Sequence, residues 1–121
     1  LVYVSGQLPI KDEKIITGKV PSESDIKKAS YGSRICMLNT LSMLDQLNPS
    51  CELSDFNCIH VAGYVNADHS FSDHPLVING ASDVVCDIMG EKGKHSRIAV
   101  GASSLPKNAS VEVASIFEIL K

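Results

Sequence analysis

Two ionisable residues of this chain stand inside strand-like sequence: Arg97 at the head of "RIAVGASSLP", and Glu112 within "SVEVASIFEIL". A guanidinium is always charged, and its planar fork matches a carboxylate through two parallel hydrogen bonds. A carboxylate can in turn steer a water molecule or a proton. Strand alternation puts Arg97, Ala99 and Gly101 on one face and Ile98, Val100 and Ala102 on the other, so Arg97 shares its face with small residues. After the turn signal Leu105-Pro106-Lys107-Asn108, the residues Val111, Val113, Phe117 and Ile119 alternate, and Glu112 faces away from them. Three readings are open on the residues alone: a surface ion pair, two solvated side chains, or a cleft where Arg97 holds an anionic group and Glu112 handles water or a proton.

Other constellations carry less. "GEKGK" (90–94) lacks the GxxxxGK[ST] spacing of a phosphate loop and follows a helical pattern where such a loop follows a strand. His60, His69, His74 and His95 form neither HxH nor HExxH, and no carboxylate stands at a zinc-ligand spacing, so no metal and no cofactor is expected. No GxSxG elbow raises a serine toward a histidine and an acid. Cys36, Cys51, Cys58 and Cys86 give no CxxC, and the expectation is free, mostly buried thiols. The sequon Asn108-Ala109-Ser110 falls in the turn between the last strands and has meaning only in a secreted chain.

The elements that must position these residues follow from period and punctuation. Residues 1–5 alternate as a strand, Gly6 to Lys14 is turn-rich, and Ile15-Ile16-Thr17 reads as a second strand ending near Pro21, the two forming a hairpin. Ser22 or Ser24 is the expected cap of a helix whose apolar positions Ile26, Ala29, Met37, Leu41, Leu44 and Leu47 recur at helical spacing, with Pro49 beyond its end. "NCIHVAGYV" (57–65) reads as a buried strand, and Pro75 suits the first turn of a second helix running to about Met89. Two strands finish the chain, giving ββαβαββ and an α+β sandwich.

With 121 residues and 44% hydrophobic content, one domain over 1–121 is expected. A net charge of -3, three tyrosines, three phenylalanines and no tryptophan argue against strong nucleic-acid binding. No apolar run reaches the roughly 20 residues that span a bilayer, and no secretory leader is visible, so a soluble cytoplasmic protein without membrane partners is expected. Because the chain opens at Leu1 directly in a strand, a short preceding N-terminal segment is also expected.

Four blocks, "VYVSGQLP", "VAGYVNADHSF", "PLVINGASD" and "SRIAVGASSLPKNASVEVASI", resemble the Rid family (reactive intermediate deaminases, also called YjgF or endoribonuclease L-PSP proteins) in family order and over essentially the whole chain. The "INGASD…GEKGKHSR" segment resembles a branch distinct from the best-known imine deaminases. For fold, the resemblance implies a chorismate-mutase-like protomer, with two helices on one face of a mainly antiparallel sheet, assembled as a homotrimer with clefts between subunits. For function it implies hydrolysis of 2-imino acids or their enamine tautomers to 2-oxo acids and ammonia. Arg97 would clamp the substrate carboxylate, Glu112 would orient the attacking water, Ser5 and Gly6 would line the cleft, and Asn79 would be structural. Two alternatives stand beside it: a noncatalytic trimer that binds small carboxylates, and the ribonuclease activity attached to the family name.

The chain departs from the family pattern in three places. Ala99 stands where a cysteine is frequent, a tyrosine in a loop before the first strand has no counterpart here, and Lys94 and His95 replace smaller or apolar residues.

Overall fold

The computed structural model describes residues 1–120. Strands β1 (Val2–Gln7), β4 (Phe56–Asn66), β5 (Ser96–Ala102) and β6 (Val111–Ile119) form one sheet in the order β1-β6-β4-β5. β6 runs antiparallel to both β1 and β4, and β5 runs parallel to β4. Helices α1 (Ile26–Asp45) and α2 (His74–Met89) cover one face, and α2 is the crossover that a parallel β4-β5 pair requires. The α+β expectation with two helices therefore holds, on a mixed sheet.

The core lies between sheet and helices, where Phe56, Val61, Val65, Val111, Val113 and Phe117 meet Met37, Leu41, Leu44, Ile78 and Val85. In α1 the buried positions Ala29, Gly32, Ser33, Cys36, Met37, Thr40, Leu41 and Leu44 recur every three or four residues, the stripe a one-sided helix needs. The two helices approach closely at Gly80, where an added Cβ would lie 1.9 Å from the Ser30 carbonyl oxygen. At that seam Ser33 Oγ lies 2.6 Å from the Val77 carbonyl and accepts the Ala81 amide at 3.0 Å.

Several local expectations are corrected. The cap of α1 is Asp25, whose carboxylate accepts from the Lys28 amide at 2.7 Å. Ser22 is unavailable because its amide and hydroxyl both bind the carboxylate of Asp68, and Ser24 is buried under the loop. Leu47 lies past the helix, which ends at Asp45, and is 53% exposed. The expected hairpin of β1 with residues 15–17 does not form. Instead β2 (Ile10–Lys11) and β3 (Lys14–Ile15) make a small separate hairpin, turning on Asp12 and Glu13 with φ of 53° and 66°. Positive φ at both central residues gives the twist a two-residue hairpin loop prefers. β1 pairs with the nine-residue β6, whose alternating apolar face offers Val2 and Val4 far more burial than a two-residue strand could.

Among the described residues nothing covers the face opposite the helices. Tyr3 is 72% exposed there, Ile98 47% and Tyr64 37%. A shallow hollow of about 320 Å³ on the sheet is lined by Tyr3, Ser5, His60, Ala62, Ala114 and Ile116. Among the described residues no helix is long and apolar enough to cross a membrane.

Candidate functional site

Arg97 sits near the start of β5, an edge strand, in register with Val61 of β4. Val61 faces the core, and residues in register share a face, so Arg97 points to the helix-covered side. Its neighbours on that face agree, since a Cβ at Gly101 would lie 2.8 Å from His74 Nε2 of α2. The small residues the sequence placed beside Arg97 are therefore what lets α2 lie against β5. The guanidinium is exposed at the sheet margin, with Nη1 donating to Asn79 Oδ1 at 2.8 Å and to Ser82 Oγ at 3.2 Å. Asn79 and Ser82 are three residues apart on α2, the spacing that puts two side chains on one helix face.

Glu112 lies on the other side of the sheet. It pairs in register with Tyr64, between the buried Val111 and Val113, so its side chain belongs to the open face. β1 bulges opposite it, its register shifting between Val4 and Gln7, and an added Cβ at Gly6 would lie 1.9 Å from Glu112 Oε2. Glycine at position 6 thus makes room for the carboxylate over the bulge, with Ser5 exposed alongside. Glu112 makes no hydrogen bond or ion pair among the described residues.

The residues nominated from sequence therefore fall into two half-sites. Ser5, Gly6 and Glu112 gather on the open face, and Arg97 with Asn79 lies at the β5 margin on the helix side. The surface ion pair between Arg97 and Glu112 is ruled out, because the sheet separates them. Lys94 pairs with Glu91 at 2.9 Å, a contact that raises the lysine pKa, and is turned to solvent. His95 does reach the Arg97 half-site, through Ser82 Oγ at 2.9 Å.

The two buried cysteines are poorly suited to act as nucleophiles. All four are free; Cys36 and Cys58 are buried, Cys51 and Cys86 half-buried. Burial, and then the Glu112 carboxylate, hold the Cys36 thiol far above its ordinary range, and burial with the neighbouring Cys86 pushes Cys58 up to about 12. Thiols so shifted stay protonated at neutral pH and attack poorly.

Sequence reasoning passed over Ser82. The signal was present in its i+3 relation to Asn79, but only the packing of α2 on β5 shows which helix face meets the arginine.

The chain matches, over residues 1–119, the family described as YjgF/chorismate mutase-like, putative endoribonuclease. It is 32% identical to Protein TCP17 of Trypanosoma cruzi, across 98% of this chain and 74% of that protein. A crystal structure of a protein of unknown function from Agrobacterium tumefaciens superposes with a TM-score of 0.93 at 40% identity, covering 98% of this chain and 76% of the other. A Shewanella oneidensis protein carrying the endoribonuclease description superposes with a TM-score of 0.89 at 29% identity, covering 98% and 78%.

Proposed function

The chain belongs to the YjgF/Rid (endoribonuclease L-PSP) family, and from that premise we propose that it is a hydrolytic deaminase of 2-imino acids and their enamine tautomers, working in clefts between the copies of a homotrimer. The observation that carries the reading is the split of the site across the sheet. Among the described residues neither Arg97 nor Glu112 has an ion-pair partner, and within one protomer the two lie on opposite faces of the sheet. That placement supports a site assembled from different copies. The uncovered apolar face around Tyr3, Tyr64 and Ile98, which carries the Glu112 half-site, is the kind of surface a neighbouring copy would cover.

In such a cleft Arg97 holds the substrate carboxylate, which fixes the imine carbon against the facing Glu112. The Glu112 carboxylate takes a proton from a water molecule as the water oxygen attacks the C=N carbon, and passes that proton to the imine nitrogen. The resulting carbinolamine then transfers its hydroxyl proton to nitrogen, the C–N bond breaks, and 2-oxo acid and ammonia leave. Water adds and ammonia departs, so no redox partner enters. Cys36 is buried and position 99 is alanine, so this scheme calls on no thiol.

The test is ammonia release from freshly generated 2-imino acids, alongside light scattering. A species of three times the 13.0 kDa chain mass with accelerated ammonia release supports the reading. A stable monomer, or a trimer that binds small carboxylates without releasing ammonia, contradicts it, the latter leaving the metabolite-binding alternative. The endoribonuclease description of the Shewanella relative gives a second comparison. A chain of net charge -3 should bind RNA weakly, and a steep salt dependence of RNA affinity would favour the nuclease reading instead.

A further inference from the structure

The Arg97 half-site extends past Asn79 into a relay that ends on a backbone carbonyl. His95 Nδ1 lies 2.6 Å from the Gly93 carbonyl, and its Nε2 lies 2.9 Å from Ser82 Oγ, which in turn lies 3.2 Å from Arg97 Nη1. A carbonyl can only accept, so His95 Nδ1 carries a proton, and in the neutral form of the ring Nε2 is then the acceptor. Nε2 therefore takes the single hydroxyl proton of Ser82. The serine oxygen is left with its lone pairs toward Arg97, and can only accept there. With the ring neutral, the carbonyl sets the direction of the bond between His95 and Ser82, and the guanidinium, which can only donate, sets that of the bond to Arg97.

We propose that Ser82 and His95 are positioning residues for Arg97, and that together with Asn79 they select which edge of the guanidinium meets the substrate. The proposal rests on the deaminase reading for its substrate, but the relay itself does not. Nη1 has two protons and donates to two acceptors, Asn79 Oδ1 and Ser82 Oγ, which in our assignment take one each. The end-on fork made by Nη1 and Nη2 is thereby closed. The side-on fork made by Nε and Nη2 is the one that can still offer two parallel N–H bonds to a carboxylate. The arginine is thus held before substrate arrives, and the ordering of a long side chain is already complete when binding occurs. His95 and Ser82 are half-buried, as parts of a fixed support, while Arg97 itself is open to the cleft side.

The first measurement needs no variant. Nitrogen-15 shifts of the His95 ring should report the Nδ1–H tautomer, and the Arg97 Nη1 protons should exchange more slowly than those of Nη2. An Nε2–H tautomer, or equivalent Nη groups, overturns the relay whatever the enzyme does. The second uses pyruvate as an unreactive carboxylate probe. Losing one hydrogen bond to a charged group corresponds to roughly a tenfold effect, so Ser82→Ala should raise the pyruvate Kd about 5- to 10-fold and the KM for imino acid similarly, with kcat within about twofold. Ser82→Thr should recover most of the affinity, and His95→Leu should weaken binding while His95→Gln, which can place an acceptor near the lost Nε2, should restore part. Because His95 acts through Ser82, adding His95→Leu to Ser82→Ala should cost nothing more. Additive losses, or a Ser82→Ala protein with parental pyruvate affinity and unchanged Nη1 exchange, overturn the proposal. If pyruvate binding ignores Arg97→Ala as well, while the tautomer and exchange pattern stand, the deaminase reading fails and the relay survives.

Discussion

Replacing Gly6 with alanine separates the position of the Glu112 carboxylate from its presence. The new Cβ would lie 1.9 Å from Glu112 Oε2 and 2.8 Å from its carboxyl carbon, against an ordinary contact of 3.4 Å or more. Oε2 must therefore retreat by at least 1.5 Å, the difference of 3.4 and 1.9. The obstructing atoms are the far end of a flexible side chain, so the fold gives way easily, and Gly6 is not among the residues of positive φ, so alanine meets no backbone strain. Fewer unfolded conformations for alanine should add about 0.4 to 1 kcal/mol of stability, a change of a few degrees in Tm at most. Catalysis should respond differently. A misplacement of about 1 Å in a catalytic group is worth on the order of 100-fold in rate, so Gly6→Ala should lose about 100-fold in kcat for ammonia release while its Tm holds and its pyruvate Kd changes less than about threefold. Stopped-time ammonia assays, thermal denaturation and pyruvate titration on the same preparation give the three numbers. A Gly6→Ala enzyme with parental kcat would refute the assignment of Glu112 to the water. A Tm lower by tens of degrees would refute the claim that the carboxylate is free to move.

Other outcomes follow from the same contacts. Arg97→Ala should lose roughly 10- to 150-fold in kcat/KM, equivalent to about 1.5–3 kcal/mol for a charge-assisted pair, and Arg97→Lys should recover only part because an ammonium lacks the planar fork. Glu112→Gln should lower kcat while pyruvate still binds, read by parallel titration and turnover assays. Gly80→Ala should destabilise by about 3 kcal/mol in urea denaturation, since its Cβ would meet the Ser30 backbone carbonyl and neither helix can yield without losing the seam. The raised thiol pKa values set a pH dependence: Cys58 ionises near 9.0 when unfolded and about 12 when folded, so its contribution is complete below pH 9 and is lost as pH rises toward 12. The urea midpoint should fall over that window, and less steeply in Cys58→Ala.

Much of the scaffold was readable because it rests on local signals. Pro75 opened α2 as its fixed φ predicts, and the stripe from Ile26 to Leu44 gave α1. The misread cap has a long-range cause: Ser22 is held by Asp68, 46 residues away in sequence, which no local rule anticipates. The same limit applies to β1, whose partner β6 lies at the opposite end of the chain. For the site, alternation correctly separated Arg97 from Ile98 but could not say which of the two faces the helices cover. That single unknown decides everything about the arginine, for it places Arg97 against α2 and sets Glu112 on the far side of the sheet. Charge inside strand-like sequence singled out both residues, and the resemblance supplied their roles. Their division into two half-sites, and the support from Ser82 and His95, came only with the packing.

The central claim is that one catalytic cleft takes Arg97 from one copy and Glu112 from another, and subunit mixing tests it directly. Arg97→Ala and Glu112→Gln proteins, each impaired alone, would be unfolded together in equal amounts, refolded, and assayed for ammonia release. In a randomly mixed ring, a given cleft draws an intact Arg97 with probability one half and an intact Glu112 from its neighbour with probability one half, so about one quarter of parental activity should return. If both residues had to come from the same copy, no mixed assembly would contain a whole site. Activity of the mixture no higher than that of the two variants alone would contradict the account.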